Sequence, residues 1–462
     1  MKKLICLITS VGMLAATATG CGNNEKTKSG DTSSKVEDIT LTVAGPWDDC
    51  AAVENASVAF SKKYPNCHIE YEYIQNFDEN LPKRLAGDED KIDLYLTNNI
   101  QKGSELLDYS LEFSSLGDTL DLSHTYEGLI TNFKLQSADE ADKDKFYSIP
   151  LGAEIRGMYV NKTLLDSLDI AVPQNKDELF AACQTLVDNG YIPLQGNPGI
   201  FSQELLYPYV CNLIANSDNY EETYKKVDSR EDGISEMFRE PMEFMYTAVE
   251  KGYYNYKYVE NNLGLCLDIS NEGSALDFFN IIADEDGNYS KKDDVGQIAF
   301  MPLYRSIGSA MEKTKDDYHS KIEYEFILCP VSDEGGYAYM SPGRAIAVNK
   351  NSDYLDESVE FINFIFEEKE NITFCDDLGL VPNTENAFDI VTEEYDVPKS
   401  NISQLGQVTF SYDFYDVIFQ SLLEISKANN PKYMNTDENG NSVMYPFSYY
   451  MDNFENRFHT DE

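Results

Sequence analysis

The 462-residue chain carries 81 acidic and 36 basic residues, which gives a formal net charge of −45 at pH 7. A surface this acidic repels nucleic acid phosphates, so nucleic acid is excluded as a partner. Hydrophobic residues make up 42% of the chain and aromatic residues 12%. The composition can build a large core, and the length predicts two domains or lobes.

The N-terminus has the pattern of an export signal. Two lysines precede an apolar run over residues 4–16, and small residues lead to Cys21. This pattern predicts a secretory signal peptide over residues 1–20, too short to be a membrane span. The segment Ala-Thr-Gly-Cys at 18–21 resembles a bacterial lipobox, in which the cysteine becomes the lipid-modified N-terminus. The alternative is an ordinary secretory signal with an incidental cysteine.

A polar segment follows the predicted lipidation site. Residues 21–36 are small and hydrophilic and have almost nothing to bury, which predicts a flexible tether. No later run approaches the ~20 apolar residues that a membrane-spanning helix needs. The lipid on Cys21 would therefore hold the protein to the outer face of the bacterial cell membrane.

The cysteines and histidines predict neither a disulfide framework nor a metal site. Without Cys6 and Cys21, seven of the nine cysteines remain, and they contain no Cys-x-x-Cys pair. Several lie in apolar surroundings, as do Cys183 and Cys329, which favours buried free thiols. The four histidines share no ligand spacing, so a structural zinc site is not expected and no cofactor is predicted.

Strands and helices alternate at the start of the body. Alternating apolar residues predict strands over 39–44, 67–73 and 92–96, with helices over 53–64 and 81–86 between them. This β-α-β-α-β series predicts a largely parallel sheet with helices on both faces.

Polar residues follow two of these strands. Trp47, Asp48 and Asp49 come after the first, and Asn98 and Asn99 after the third. Ligands in open α/β sheets gather beyond the carboxyl ends of the strands, so these are candidate contacts. Helix N-capping is the alternative for the aspartates and asparagines. For Trp47 the alternatives are stacking on a sugar face and a plug that closes the first loop.

A second α/β segment begins after residue 148. Ser-Ile-Pro at 148–150 is extended, residues 156–160 predict a strand, and Asn175 with Glu178 predicts a capping box that opens a helix. Gly190 is expected to end that helix in the left-handed conformation.

Six short segments occur in a characteristic order and spacing. They are Phe60-Ser-Lys-Lys-Tyr-Pro65, Leu85-Ala-Gly87 before Ile92-Asp-Leu94, Lys145-Phe-Tyr-Ser-Ile-Pro150, Gly157-Met-Tyr-Val-Asn-Lys162, Gly296-Gln-Ile-Ala-Phe-Met301 and Gly379-Leu-Val-Pro382. In this order they are similar to segments of family 1 extracellular solute-binding proteins. Proteins of that family are lipid-anchored receptors of ATP-binding-cassette (ABC) importers, most often for sugars and oligosaccharides. The resemblance covers nearly the whole mature chain.

The resemblance implies an α/β fold of two Rossmann-like lobes joined by a three-segment hinge, periplasmic-binding-protein-like and of the class II type. The expected lobes are 37–148 with 331–377, and 150–328 with 383–462. The hinge is expected near 148–150, 328–330 and 380–382, where prolines restrict bending to a few flanking residues. The lobes would close on the solute as a Venus flytrap, and the protein is expected to be a monomer that delivers its solute to ABC permease subunits.

Further candidate contacts lie in loops that would face the gap between the lobes. Glu154 and Arg156 come just after the first crossing, where family members often place polar residues on the ligand. The alternative to ligand contact is an internal salt bridge. Asn197 could present its amide to hydroxyl groups. Tyr304 and Arg305 follow a strand at a point where many family members have Gly-x-Trp. This difference puts aromatic stacking on the ligand at that point in doubt. The candidates are Glu154, Arg156, Asn197, Tyr304, Arg305, Tyr339 and Arg344.

The motifs give little support to catalysis. The chain has no Gly-x-Ser-x-Gly elbow, no His-Glu-x-x-His and no phosphate-binding loop, so an enzyme is not predicted. A glycan-active enzyme needs only two carboxylates and stays as an alternative. A nearer alternative keeps the fold and binds a polyamine, a ferric ion or another non-sugar solute.

Overall fold

The protein is described by a computed structural model over residues 38–46, 49–87, 91–131, 133–135, 141–196, 198–256, 271–403 and 410–460. The predicted signal peptide, tether and lipid site, together with Trp47, Asp48 and Asn197, lie outside the described residues. Along the described part of the chain, no helix combines the length and the apolar character that crossing a bilayer requires.

The strands are numbered in chain order. They are β1 Ile39–Gly45, β2 Cys67–Tyr73, β3 Leu94–Thr97, β4 Ile149–Pro150, β5 Gly152–Asn161, β6 Ile192–Leu194, β7 Ile281–Ala283, β8 Tyr289–Lys291, β9 Ile298–Tyr304, β10 Tyr324–Ile327, β11 Ala338–Pro342, β12 Ala345–Val348, β13 Val381–Pro382, β14 Ile402–Ser403, β15 Asn435–Thr436 and β16 Ser442–Val443.

The α-helices are numbered in the same way. They are α1 Cys50–Lys63, α2 Phe77–Leu85, α3 Glu127–Thr131, α4 Lys162–Ser167, α5 Lys176–Asp188, α6 Pro198–Ala215, α7 Tyr220–Asp228, α8 Arg239–Glu250, α9 Asn271–Phe278, α10 Gly308–Asp317, α11 Leu355–Ile365, α12 Glu368–Leu378, α13 Ala387–Tyr395, α14 Phe414–Ser426 and α15 Phe447–His459.

The first sheet has the strand order β2–β1–β3–β12–β4. Its first three strands are parallel, as the β-α-β-α-β pattern predicts, and β12 runs antiparallel to both β3 and β4. Both faces are covered, because Leu94 and Leu96 pack with Phe60 of α1 while Tyr95 packs with Leu81 of α2. Burial of both faces explains why these strands are almost continuously apolar.

The second sheet is mixed and is built around β5. This strand pairs antiparallel with β9, β10, β11 and β13, while β6 lies parallel to β9 and β14 parallel to β11. Met158 and Val160 of β5 enter the core formed with α5, α6, α8 and α14. Tyr159, between them, enters a separate core on the other face. The alternation is that of a strand with helices on both sides.

Within the described residues, three segments pass between the two sheets. The first passage is at Leu151, because β4 belongs to the first sheet and β5 to the second. The third passage follows α12, whose Leu378 packs in the core beside the first sheet, and it leads into β13 of the second sheet. These two passages lie at or next to the segments expected at 148–150 and 380–382, whose role as hinges stays a prediction.

The middle passage lies at residues 343–344 and not at 328–330. Leu328 and Cys329 pack in cores of the second sheet, and β11 then pairs its Met340 with Ile155 of β5. The chain therefore stays with the second sheet until Pro342 and joins the first at Ala345. Residues 331–342, expected with the first lobe, belong to the second sheet for the same reason.

Candidate ligand-binding site

Two of the predicted binding residues form an ion pair beside the middle passage. Asp49 Oδ2 lies 2.8 Å from Arg344 Nε, and the Asp49 side chain is only 7% exposed whereas that of Arg344 is 28% exposed. Asp49 occupies the N-cap position of α1, but its side chain makes no capping hydrogen bond to that helix. The carboxylate is thus held against Arg344 at the carboxyl end of β1.

The two predicted asparagines lie at the same edge of the first sheet. Asn98 and Asn99 are exposed and follow β3 directly. Thr97 pairs with Ala345 in antiparallel register, so Asn98 stands one step beyond the paired end, level with Arg344. The Asn99 side-chain oxygen accepts a hydrogen bond from Gln101 Nε2 at 2.9 Å. Amide groups and the Arg344 guanidinium therefore share one edge.

A second group of predicted residues lies on the second sheet. Arg156 of β5 stands opposite Tyr304 of β9 in the strand register. The Arg156 guanidinium lies 5.5 Å from the ring centroid of Tyr339 and 5.8 Å from that of Tyr207. A guanidinium at this distance from two aromatic rings is stabilised by cation–π attraction, and its position is fixed by both.

Glu154 and Arg305 hold the turn that follows β9. Glu154 Oε1 accepts hydrogen bonds from the backbone N–H groups of Ile155 and Ser306, at 3.0 and 3.2 Å. Arg305 pairs with Glu394 at 3.1 Å, and its carbonyl accepts the Tyr159 hydroxyl at 2.9 Å. These contacts shape the loop beside Tyr304.

Tyr339 is more buried than its expected place in a binding loop suggests. It belongs to β11, is 8% exposed and packs edge-on against Tyr207 with ring centroids 5.4 Å apart. Burial raises the pKa of the Tyr339 phenol, so the hydroxyl stays protonated at neutral pH. Tyr339 is therefore a neutral support beneath Arg156.

Two further tyrosines of the group around Arg156, which we call the tyrosine cluster, were not predicted from the sequence. Tyr207 of α6 and Tyr415 of α14 are both partly buried, and their ring centroids are 5.2 Å apart. Tyr207 lies in an apolar helical run that is typical of a buried core, so hydrophobic periodicity does not identify it as a site residue. Tyr415 stands at the start of a C-terminal helix, far in sequence from the other members. Tyr207 is the contact that joins Tyr415 to Tyr339.

Two buried asparagines fasten the outer passages to each other. Asn371 of α12 donates from Nδ2 to the Leu151 carbonyl at 3.0 Å and accepts the Asn383 N–H at 2.8 Å. Asn383, just after β13, donates in turn to the Pro150 carbonyl at 2.7 Å. Cys375 Sγ lies 3.2 Å from the Leu151 carbonyl. The backbone of the first passage is thereby paired by side chains of the third.

Glycines allow the three passages to approach closely. A Cβ added to Gly152 would lie 2.5 Å from the Val381 carbonyl oxygen, and one added to Gly343 would lie 2.8 Å from a Leu380 methyl. The Gly343 N–H also donates to the Gly152 carbonyl at 2.9 Å. The first, middle and third passages thus form one packed crossing, and the two groups of polar residues flank it.

The arrangement has the components for recognising a polar solute. Arg344, Asp49 and the asparagine amides belong to one sheet, while Arg156, Tyr304 and the Tyr207–Tyr415 pair belong to the other. Guanidinium, amide and hydroxyl groups can hydrogen-bond a ligand, and tyrosine rings add flat apolar faces. Two α/β lobes joined by crossing segments define the class of two-lobed solute-binding proteins.

Comparison with known proteins agrees with this class. Residues 55–399 match the family described as "Bacterial extracellular solute-binding protein". The chain is 27% identical over 180 residues to a multiple sugar-binding protein of Streptococcus mutans, a match that spans 38% of this chain and 39% of that protein.

Solved structures share the fold over most of the chain. A sugar transporter from Bacillus licheniformis in complex with stachyose has a TM-score of 0.50 at 17% identity, over 90% of this chain and 98% of that one. A cyclic alpha-maltosyl-1,6-maltose binding protein from Arthrobacter globiformis has a TM-score of 0.53 at 15% identity, over 91% and 97%.

The family match extends over more than half of the chain. The protein therefore belongs to the bacterial extracellular solute-binding proteins, a family whose members bind solutes outside the cytoplasm. Its fold is the two-lobe fold of the sugar-binding structures. The resemblance noted in the sequence is confirmed.

Proposed function

We propose that the protein captures a sugar or oligosaccharide between its two lobes and delivers it to the permease subunits of an ABC importer. In this proposal Cys21 carries the lipid that holds the protein at the outer face of the membrane, and the protein acts as a monomer. The sheet membership supports lobes that divide at Leu151, at 343–344 and after α12. The sugar-binding relatives support the ligand class.

The observation that carries the proposal is the cationic and aromatic surface around Arg156. Its guanidinium lies over Tyr207 and Tyr339 and stands only five residues beyond the passage at Leu151. Arg344, at the middle passage, offers a second guanidinium from the other sheet. Hydroxyl-rich ligands suit such donors beside tyrosine rings, and closure of the lobes would bring the two groups together.

A thermal-shift screen tests the ligand class. Stachyose, raffinose and maltose are compared with spermidine and with ferric citrate, each at saturating concentration. A ligand at a hundredfold excess over its dissociation constant stabilises the folded protein by roughly 2.7 kcal/mol, so the melting temperature should rise with at least one sugar. Stabilisation by spermidine or ferric citrate alone would refute the sugar proposal.

A matched pair of arginine variants locates the site. Arg156→Ala should abolish the sugar-dependent shift. Arg239→Ala should leave it unchanged, because the Arg239 side chain is 45% exposed, lies over Phe447 and pairs with Glu236, and neither of these two partners belongs to the candidate site. An equal effect of the two variants would contradict the proposed position of the site.

The same proposal holds that the ligand leaves the protein chemically unchanged. Incubation of a bound oligosaccharide with the protein, followed by chromatography of the sugar, should return the starting compound. Release of shorter sugars would instead favour the glycan-active enzyme.

A further inference from the structure

A cavity lies at the opposite end of α14 from Tyr415. It has a volume of about 420 Å³ and is lined by residues of α14, of the segment after it and of α15. Gln420, Leu423, Glu424 and Lys427 line it at spacings of three and four, the spacing of one helix face. Lys427 follows Tyr415 by twelve residues, about 18 Å along a helix. The cavity is therefore separate from the site proposed for the transported solute.

Tyrosine rings form much of its wall. Tyr433 is 47% exposed and Tyr449 is 37% exposed, so both offer open ring surface. Tyr445 stacks on Tyr449 with centroids 4.1 Å apart, and Tyr450 meets Tyr449 at 5.2 Å. These contacts fix the Tyr449 ring as a rigid flat surface. Exposed flat aromatic surface with hydroxyl groups at its edge suits a ligand with a ring and hydroxyls.

The lining is cationic although the protein is strongly acidic. Among the described residues, the lining includes the cations Lys427, Lys432 and Arg457 and the acid Glu424, in a chain of net charge −45. Glu424 is already satisfied, because Arg457 pairs with it at 3.1 Å and Asn453 donates to it at 2.7 Å. Glu424 is therefore engaged by Arg457 and Asn453 rather than by Lys427.

Lys427 is the cation best placed to meet a ligand. Its Nζ lies 5.9 Å from the ring centroids of both Tyr256 and Tyr433. Among the described residues, no carboxylate lies within 4 Å of this ammonium. An ammonium held between rings and beside an open cavity is available to an incoming carboxylate or phosphate, and a charge-assisted hydrogen bond to either is stronger than a neutral one.

We propose that this cavity binds a small anionic sugar, with the sugar ring against Tyr449 and its carboxylate or phosphate on Lys427. The volume is in the range of small-molecule sites. The cavity is separate from the proposed cleft site, so this proposal does not depend on the transport proposal.

Isothermal titration with glucuronate, glucose 6-phosphate and glucose tests the proposal. At least one of the two anionic sugars should bind, at least tenfold more tightly than glucose, and its affinity should fall as salt is added. The two anions distinguish a carboxylate from a phosphate as the recognised group. No binding of either anion up to about 10 mM would overturn the proposal.

Variants separate this cavity from the cleft. Lys427→Gln and Tyr449→Ala should each weaken binding of the anionic sugar at least tenfold, whereas Lys369→Gln should have no effect, because the Lys369 side chain is 90% exposed and distant in sequence. Unchanged melting temperatures show that the variants fold. Binding that depends on Arg156 and not on Lys427 would overturn the proposal by placing the anionic sugar in the cleft.

Discussion

At the scale of single residues, the two candidate arginines are held in different ways. Arg156 lies over two tyrosine rings, whereas Arg344 pairs with a nearly buried carboxylate. The two rings stabilise the Arg156 guanidinium by cation–π attraction. A cation paired with Asp49 instead offsets the desolvation of that carboxylate. Arg344 therefore has a structural role in addition to any contact with solute.

The structural role of Arg344 predicts a large loss of stability on its removal. Arg344→Ala leaves Asp49, whose side chain is 7% exposed, without its cation and should lower the free energy of unfolding by about 3 kcal/mol. Urea denaturation of the two proteins measures the difference. The double variant Arg344→Ala with Asp49→Asn should recover part of the loss, since it removes the buried charge.

Arg84→Ala is the matched control for this prediction. Arg84 is also 28% exposed and pairs with Glu72 at 3.0 Å, but Glu72 is 31% exposed. Its removal should cost less than about 1 kcal/mol, because water solvates the remaining carboxylate. Equal losses from the two arginine variants would show that burial of the partner does not govern the effect.

At the scale of elements, the crossing of the three passages determines where the candidate ligand-binding site lies. The sheets are tied to each other where Asn371 and Asn383 bind the carbonyls of Leu151 and Pro150. If the lobes close on a solute as proposed, the bending must be taken up by the few residues that flank these fixed points. Arg156 lies five residues beyond Leu151, and the Arg344 carbonyl accepts the Leu151 N–H at 2.8 Å, so small rotations at the crossing would move both arginines toward a ligand.

Gly152→Ala tests the close packing of the crossing. The new methyl would lie 2.5 Å from the Val381 carbonyl and 2.8 Å from Cys375 Sγ, and the backbone atom cannot move aside without disturbing β13. Overpacking of this kind should lower the free energy of unfolding by about 1 to 3 kcal/mol in urea denaturation.

Gly87→Ala is the control for the glycine variant. A Cβ at Gly87 meets the Arg84 carbonyl at 3.4 Å, an ordinary contact. This variant should be neutral or slightly stabilising, because alanine restricts the unfolded chain. A neutral Gly152→Ala would indicate that the passages can separate without cost.

The elements of the fold could be predicted where the local signal was complete. Asn175 accepts from the Glu178 N–H at 3.0 Å, as the capping-box pattern predicts, whereas Glu178 accepts from the N–H of Gln174, one residue before the N-cap, at 2.8 Å. Gly190 has a φ of 81°, the left-handed conformation expected at that helix end. Such features depend on residues three or four apart, which a sequence displays directly.

The middle passage could not be predicted because it depends on long-range strand pairing. Proline marks all three passages, but Pro330 carries the same local signal as Pro342. Only the pairing of Met340 with Ile155, nearly two hundred residues away, places the passage after Pro342. Tyr415 could not be predicted as a site residue for the same reason, because its neighbour Tyr207 is distant in sequence.

At the scale of the whole molecule, the burial of cysteine thiols and tyrosine phenols makes the free energy of unfolding vary with pH in the alkaline range. The described cysteines form no disulfide bond, and among them Cys183, Cys211, Cys329 and Cys375 are buried. Burial raises the pKa of Cys211 from 9.0 to about 12, and that of Cys375 to about 12 as well. Burial also raises the pKa of many tyrosines, including Tyr207 and Tyr339. These groups stay protonated in the folded protein at pH values where the unfolded chain ionises.

The free energy of unfolding should therefore be constant around pH 8 and fall as the pH rises above about 9. Between the unfolded and folded pKa values the folded state binds more protons, so stability decreases with pH, by up to about 1.4 kcal/mol per unit for each thiol. Urea denaturation at pH 8, 9, 10 and 10.5 measures the slope. Cys211→Ala should give a shallower slope than the native protein, since one buried thiol is removed. A stability that is unchanged from pH 8 to 10.5, or a slope that Cys211→Ala leaves the same, would contradict a protonated Cys211 in the folded core.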